Sequence, residues 1–462
     1  MKRRHFGLLT GSSLAVAAAG RQARAQTAAP DASLLATTLT PLGGERAGNA
    51  DNSIPAWTGG HVTAPLPPNQ PVNELLFTDE QPIYTVDASN LTQYQNLLSA
   101  GTKALMAKKG FKIKVYPTHR TAAAPQYVYD NTALNVARSK LDPAGGRFGF
   151  TGGFSGPPFP IVDTVDPEIG GVQLIWNALV VWGGYSIYNT FSGGVVVNSK
   201  GQTIFTHGGQ GRILYPYYDP NGSPETYDGY YSKQHSYTTE PSSVNGQETL
   251  IWHSSNNSLH PDTTWTLLNG QGRVRKAPNE AFDSPSPIAN GILNFDDSNG
   301  FYGSPEKYDW RFVEKREMLV PYNCNSTPRS TVQEFIQPAF PNPDILRWEK
   351  HRMWVVEATL HQGEDNVSAR RRLYLDEDTW AILLADMYDA DDVLWKTTQV
   401  YNQCVPSVPY VLSFGFTTWN LLSGDYDYTG NISYPPDVYK AYVGPQSADY
   451  FDPAQMAASA SF

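Results

Sequence analysis

The chain has 462 residues, 40% of them hydrophobic and 12% aromatic, with a formal net charge of −10 at pH 7. Its 44 acidic side chains outnumber its 34 Lys and Arg, which argues against nucleic acid or anionic lipid headgroups as partners. The apolar content is ample for a large core, and the length is greater than the usual single-domain prior of about 150 residues.

Residues 1–25 read as an export signal. Lys2, Arg3 and Arg4 form a charged start, Leu8 to Ala19 an apolar stretch, and Ala23-Arg24-Ala25 a small-x-small cleavage pattern before Gln26. The run Arg3-Arg4-His5-Phe6 resembles a twin-arginine signal, and an ordinary secretory signal with adjacent arginines fits it equally well. Either route predicts cleavage near Ala25 and a periplasmic protein. The segment carries five Lys and Arg and no acid, so its removal leaves a more acidic chain. No later window reaches the roughly 18 apolar residues of a spanning helix, so the mature chain is expected to have no transmembrane segment.

Residues 26–90 are rich in Pro, Gly and Thr and read as an extended arm, leaving 91–462 as one domain. Helical signals cover 91–98, 100–109 and 131–139. The strongest helix is 167–182: Asp166 caps it, Pro167 suits its first turn and Gly183-Gly184 ends it. Its stripe Val172, Ile175, Trp176, Leu179 and Trp182 has helical spacing. Strand-like runs follow at 185–198, 203–206, 248–253, 263–268, 273–276 and 310–320, with Asn269-Gly270-Gln271-Gly272 as one turn.

From 352 to 402 the chain reads as a four-strand meander (352–360, 368–375, 380–388, 393–402), and 410–420 adds a last strand. Its turns at 376–379 and 389–392 are acidic, since Asp side chains bond nearby backbone amides. Both turns are expected to be solvated, with neither a catalytic carboxylate pair nor a calcium loop in them. Sequential strands joined by short turns favour antiparallel neighbours. The expected fold is therefore mainly β (α+β): a large curved antiparallel sheet or incomplete β-barrel, with helices covering its concave face.

No catalytic constellation is apparent. The nine histidines are scattered, no Cys pair has zinc spacing, and no metal or cofactor is expected. Gly208-Gly209-Gln210-Gly211 lacks the lysine of a phosphate loop, and Gly152-Gly153-Phe154-Ser155-Gly156 lacks a supported partner histidine. His207 and His253 are expected to bond locally or lie on the surface. Cys324 and Cys404 are either a disulfide, permitted in an oxidising compartment, or two inert thiols. The aromatic inventory is more informative. Val172, Ile175, Trp176, Leu179, Trp182, Trp252, Trp265, Trp354 and Trp395 are the candidate lining of an apolar cavity, with the 167–182 helix as its cover.

Several stretches resemble one bacterial family of unknown function, labelled outer-membrane lipoprotein-sorting-protein-like. They are 39–60 (LTPLGGERAGNADNSIPAWTGG), 115–129 (VYPTHRTAAAPQYVY), 170–179 (GGVQLIWNAL), 265–278, 302–323 and 351–394. Residues 207–247 depart from that pattern. The resemblance implies export and the LolA/LolB carrier fold, an incomplete barrel with helices plugging an apolar mouth. It also implies a lipid or other apolar ligand, and a place beside RND-type exporters or outer-membrane β-barrels. No catalytic residue is carried over. The function expected is thus a periplasmic, non-enzymatic carrier of a hydrophobic compound. The alternatives are a secreted enzyme of unknown chemistry, which a coloured or metal-bearing protein would favour, and a carbohydrate-binding protein, which a glycan array would detect.

Overall fold

The computed structural model describes residues 30–459 apart from 68–69, 73, 109, 269–272, 278–283, 287–288, 290 and 432–439. The expected export signal (1–25) and the turn at 269–272 lie outside the described residues.

In chain order the strands are β1 (Tyr84–Asp87), β2 (Lys112–Val115), β3 (Lys140–Leu141), β4 (Phe150–Thr151), β5 (Ser186–Val197), β6 (Thr203–Leu214), β7 (Tyr230–Glu240), β8 (Glu248–Ser254) and β9 (Thr263–Leu267). They continue with β10 (Val274–Ala277), β11 (Tyr308–Pro321), β12 (Trp348–Leu360), β13 (Arg370–Asp376), β14 (Ile382–Tyr388), β15 (Leu394–Val405), β16 (Tyr410–Asn420), β17 (Tyr426–Gly430) and β18 (Ala441–Val443). The helices are α1 (Leu91–Tyr94), α2 (Ala100–Met106), α3 (Gln126–Arg138), α4 (Pro167–Leu179), α5 (Val332–Phe335) and α6 (Pro453–Ser459).

Sixteen strands form one curved sheet in the order β1-β2-β12-β13-β14-β15-β16-β17-β5-β6-β7-β8-β9-β10, with β11 on β12 and β18 on β5; β3 and β4 pair separately. Its pairings are antiparallel except for a single parallel bridge, Trp348 to Val115. The sheet does not close, because β1 pairs only with β2 and β10 only with β9 among the described strands. The meander β12 to β15 follows the expected order, as do β5, β8, β9, β10, β11 and β16. β7 and the long second half of β6 arise from the Gly- and Tyr-rich stretch 207–247, where no strand was expected. Gly209 permits the pairing, since a Cβ there would meet the backbone of Thr238 on β7.

Strand alternation divides the core into two layers. On one side Trp354, Val356, Ala358, Leu373, Leu375, Ile382, Ala385 and Met387 pack with α3 and α4. On the other, Met353, Val355, Tyr374, Leu383 and Leu384 pack with β1, β2, α2 and α5. Both faces are therefore covered, where helices over one face were expected. The reason lies in 84–115: β1, at the end of the expected arm, pairs with β2, and the expected helix at 100–109 packs on that side as α2.

Candidate functional site

The α4 face of the sheet is the expected apolar surface, and it is filled. Asp166 Oδ1 accepts from the amides of Glu168 and Ile169 at 3.1 and 3.2 Å, starting α4. The helix ends at Leu179, three residues short of the expected boundary, so Trp182 lies outside it. Ile175, Trp176, Leu179 and Trp182 are buried and Val172 is half-buried against them. Trp176 meets Phe150 edge-on at 5.6 Å, Trp182 meets Tyr218 at 5.0 Å, and Trp354 stacks on Trp380 at 6.1 Å. Three indoles fasten the filling, because Trp176 Nε1 donates to Gly146 O, Trp182 Nε1 to Pro409 O and Trp380 Nε1 to Leu42 O, each at 2.8 Å. The buried Nε1 atoms of Trp354 and Trp395 have no hydrogen-bond partner. Trp252 and Trp265 lie apart from this cluster, under the C-terminal segment with Phe451 and Met456. A depression of about 320 Å³ lies beside α3 and α4, lined by residues such as Asn135, Ser139, Phe159 and Gln173, none of them from the large sheet.

A second segment, whose described residues fall within 284–301, lies on the same face. Its single helical turns put Asp296 and Asp297 against the wall. Arg371 Nη1 donates to Asp297 Oδ1 at 2.7 Å, Nη2 to Asp296 Oδ2 at 2.8 Å and Nε to Tyr308 Oη at 3.0 Å. Lys396 Nζ adds a 3.0 Å bond to Asp297 Oδ2. Burial pushes the Asp296 carboxyl up to about 6 despite Arg371. Burial acts on Asp297 in the same sense, but Arg371 and Lys396 together hold it below the usual range. A small apolar group, Ala289 and Leu293 against Val400 and Phe416, completes the attachment. Asp427 is also buried on the sheet, and burial pushes it up to about 7 while a bond from Thr429 Oγ1 partly offsets this. One signal for this latch existed: Arg371 sits at an inward position between outward Arg370 and Arg372, and a lone inward arginine requires acidic partners.

The acidic turn 376–379 overturns its expectation. Asp376, Glu377 and Asp378 are 0%, 1% and 2% exposed, whereas Asp391 and Asp392 in the next acidic turn are exposed as expected. The 40–57 stretch lies over the buried turn, with Gly44 close against Asp378. Arg120 grips Asp378 with Nη2 at 2.6 Å and Nε at 2.8 Å. Glu377 receives Arg352 Nη1 at 2.9 Å and also pairs with Lys315. Asp376 Oδ2 accepts from Tyr322 Oη, Thr379 N and Thr379 Oγ1 at 3.1, 3.0 and 2.7 Å. A donor group of His351, Asp376 and Asp378 results, although no metal-ligand spacing is visible in the sequence. The long-range partners Arg120, Arg352 and Lys315 make this burial possible, and turn chemistry alone does not reveal them.

The remaining candidates resolve simply. Cys324 and Cys404 are free, buried thiols. His253 is buried, with Nδ1 3.2 Å from Asp262 Oδ2. No described helix is long and apolar enough to cross a membrane.

Comparison with known proteins gives a family match over residues 85–457 to the model described as "Protein of unknown function (DUF1329)". An uncharacterised protein of Pseudomonas aeruginosa is 33% identical over 458 residues, covering 96% of each chain. Among solved structures, a DUF1329 family protein from Desulfovibrio piger is similar at 15% identity, with a TM-score of 0.43, over 63% of this chain and 99% of that one. A LolA superfamily protein from Nitrosomonas europaea is similar at 9% identity, with a TM-score of 0.36, over 61% and 97% of the two chains.

Proposed function

The chain belongs to the DUF1329 family, and from that premise we propose that it binds and carries a lipid or other apolar molecule without catalysing a reaction. The observation that carries the reading is the α4 face: an aromatic and aliphatic wall on an unclosed sheet, covered by segments that do not pair with it as strands. The two covers differ in how firmly they are held. α4 buries six side chains in its second half, and it and the residues just after it are fastened by indole bonds. The described part of the 284–301 segment is held by the Arg371 and Lys396 pairs, by Ala289 and Leu293 against Val400 and Phe416, and by Phe301 at its end against Trp310. The segment is the cover that moves, and α4 is a permanent filling.

Opening exposes Val400, Phe416 and their neighbours to an acyl chain, whose burial contributes about 0.8 kcal/mol per methylene. The protein acts in the periplasm and exchanges its ligand with an RND-type exporter or an outer-membrane β-barrel. The test is native mass spectrometry of protein purified from membrane-containing extract, together with uptake of a fluorescent fatty acid. Co-bound lipid is expected, with faster probe uptake in Lys396→Met. A ligand-free protein that takes up no probe in either form would refute the carrier reading.

A further inference from the structure

The charge balance around the buried 376–378 turn is incomplete at one carboxylate. Asp378 is matched by Arg120, Glu377 by Arg352 and Lys315, and Glu349 by Arg347. Asp376 has no Lys or Arg in ion-pair contact among the described residues. Its Oδ2 is saturated by Tyr322 and Thr379, but its fully buried Oδ1 has no hydrogen-bond partner and faces His351 Nδ1 at 3.7 Å. An isolated buried carboxylate oxygen is costly unless a positive charge compensates it.

His351 is held for one purpose. Its ring stacks on Tyr322 at 3.8 Å, and its Nε2 lies 3.1 Å from Glu349 Oε2. A neutral imidazole that donates Nε2–H to Glu349 presents the Nδ1 lone pair to Asp376 Oδ1. Two electron-rich atoms then face each other across a gap too long for a hydrogen bond, whose usual limit is about 3.2 Å. That spacing suits two ligands of one metal ion: bonds of about 2.0–2.2 Å at tetrahedral angles separate ligand atoms by about 3.4 Å. Asp378 contributes the third donor, with one ligand atom from each residue lying within 4.8 Å of the others. The carboxylate–imidazole contact from Glu349 is the outer partner that fixes a metal-bound histidine's tautomer, and Arg120 performs the same orienting task on Asp378.

We propose that His351 Nδ1, Asp376 Oδ1 and an oxygen of Asp378 bind a divalent transition ion of the zinc class. One nitrogen and two carboxylate oxygens are the borderline donor set that zinc accepts. The ion joins β12 to the turn after β13 and supports the 40–57 stretch that closes over it; because all three donors are buried, its role is structural, and such a metal does not by itself favour the enzyme alternative. A site this enclosed takes up its ion as the covering stretch folds into place.

The test is metal analysis of the full-length purified protein by inductively coupled plasma mass spectrometry, with thermal unfolding in the presence of chelator or added Zn2+. The expected result is one zinc per chain and a melting temperature that falls with chelator and recovers with Zn2+. His351→Gln and Asp376→Asn should lose the metal, whereas Asp391→Asn in the exposed turn should keep it. Because a buried variant can fail to fold, the wild-type result decides on its own. Wild-type protein with no zinc or manganese, and a melting temperature indifferent to chelator and Zn2+, overturns the proposal in favour of a histidinium bridging Glu349 and Asp376. Full metal content in folded His351→Gln overturns it equally.

Discussion

Gly171 of α4 lies directly against the backbone of Arg311 on β11, where a Cβ would come within 2.5 Å of Arg311 Cα. In an exposed helix interior, glycine to alanine usually stabilises by about 0.5–1 kcal/mol. Here the sign should reverse, because the added methyl must push helix and strand apart. Gly171→Ala is expected to cost about 1–3 kcal/mol, as overpacking does. Urea denaturation checks this, and an unchanged or higher midpoint would show that α4 is not so closely seated.

Arg371 and Arg370 are chain neighbours with opposite surroundings. Arg371 is fully buried between Asp296, Asp297 and Tyr308, while Arg370 pairs with the exposed Asp392 and with Glu357. Arg371→Met strands buried carboxylates and should cost about 3–5 kcal/mol. Arg370→Met should cost no more than about 1 kcal/mol, as surface pairs do. Equal losses in denaturation midpoint would contradict the assignment of the latch.

Asp427 gives stability a pH dependence of definite sign. Burial pushes its folded-state carboxyl up to about 7, against about 4 in an unfolded chain. Between those values the folded protein holds a proton that the unfolded chain has released. Stability on this account is fullest below about pH 4, declines as pH rises to about 7, and is level beyond. Asp296, raised to about 6, adds a decline of the same sign. Asp427→Asn should be more stable than wild type at about pH 8 and flatter between about pH 5 and 8. Parallel wild-type and variant profiles would remove Asp427 as a source.

The two cysteines are buried and free, and burial pushes each thiol up to about 12. Since the thiolate is the reactive form, neither should react with maleimide in the native protein near neutral pH. Both should label on unfolding without reductant. Labelling of neither after unfolding would reveal a disulfide.

Much of the architecture was legible because strand and helix signals are local. The 352–402 meander, the capped α4 and the run 410–420 depend on residues within one or two turns of each other, so alternation and Asp-rich turns identify them. β7 was not legible, since its polar Tyr-, Ser- and Thr-containing run becomes a strand only by pairing with β6 and β8. The candidate lining was legible as apolar stripes but not as one surface. Trp176, Trp182, Trp354 and Trp395 share a core layer, while Trp252 and Trp265 join Phe451 in another. Alternation states which side of a strand a residue occupies, not which distant segment covers it.

Local order therefore settled which segments are strands and helices, how the meander is ordered and that the interior is aromatic. Only the folded chain determined which charges are buried. Asp376 and Asp391 stand in nearly identical acidic turns, yet the first turn is enclosed by Arg120 on Asp378, by His351 and by the 40–57 stretch, while the second faces water. The physical reason is that desolvation depends on what lies across space, from chain hundreds of positions away, and spacing along the sequence carries no measure of that distance.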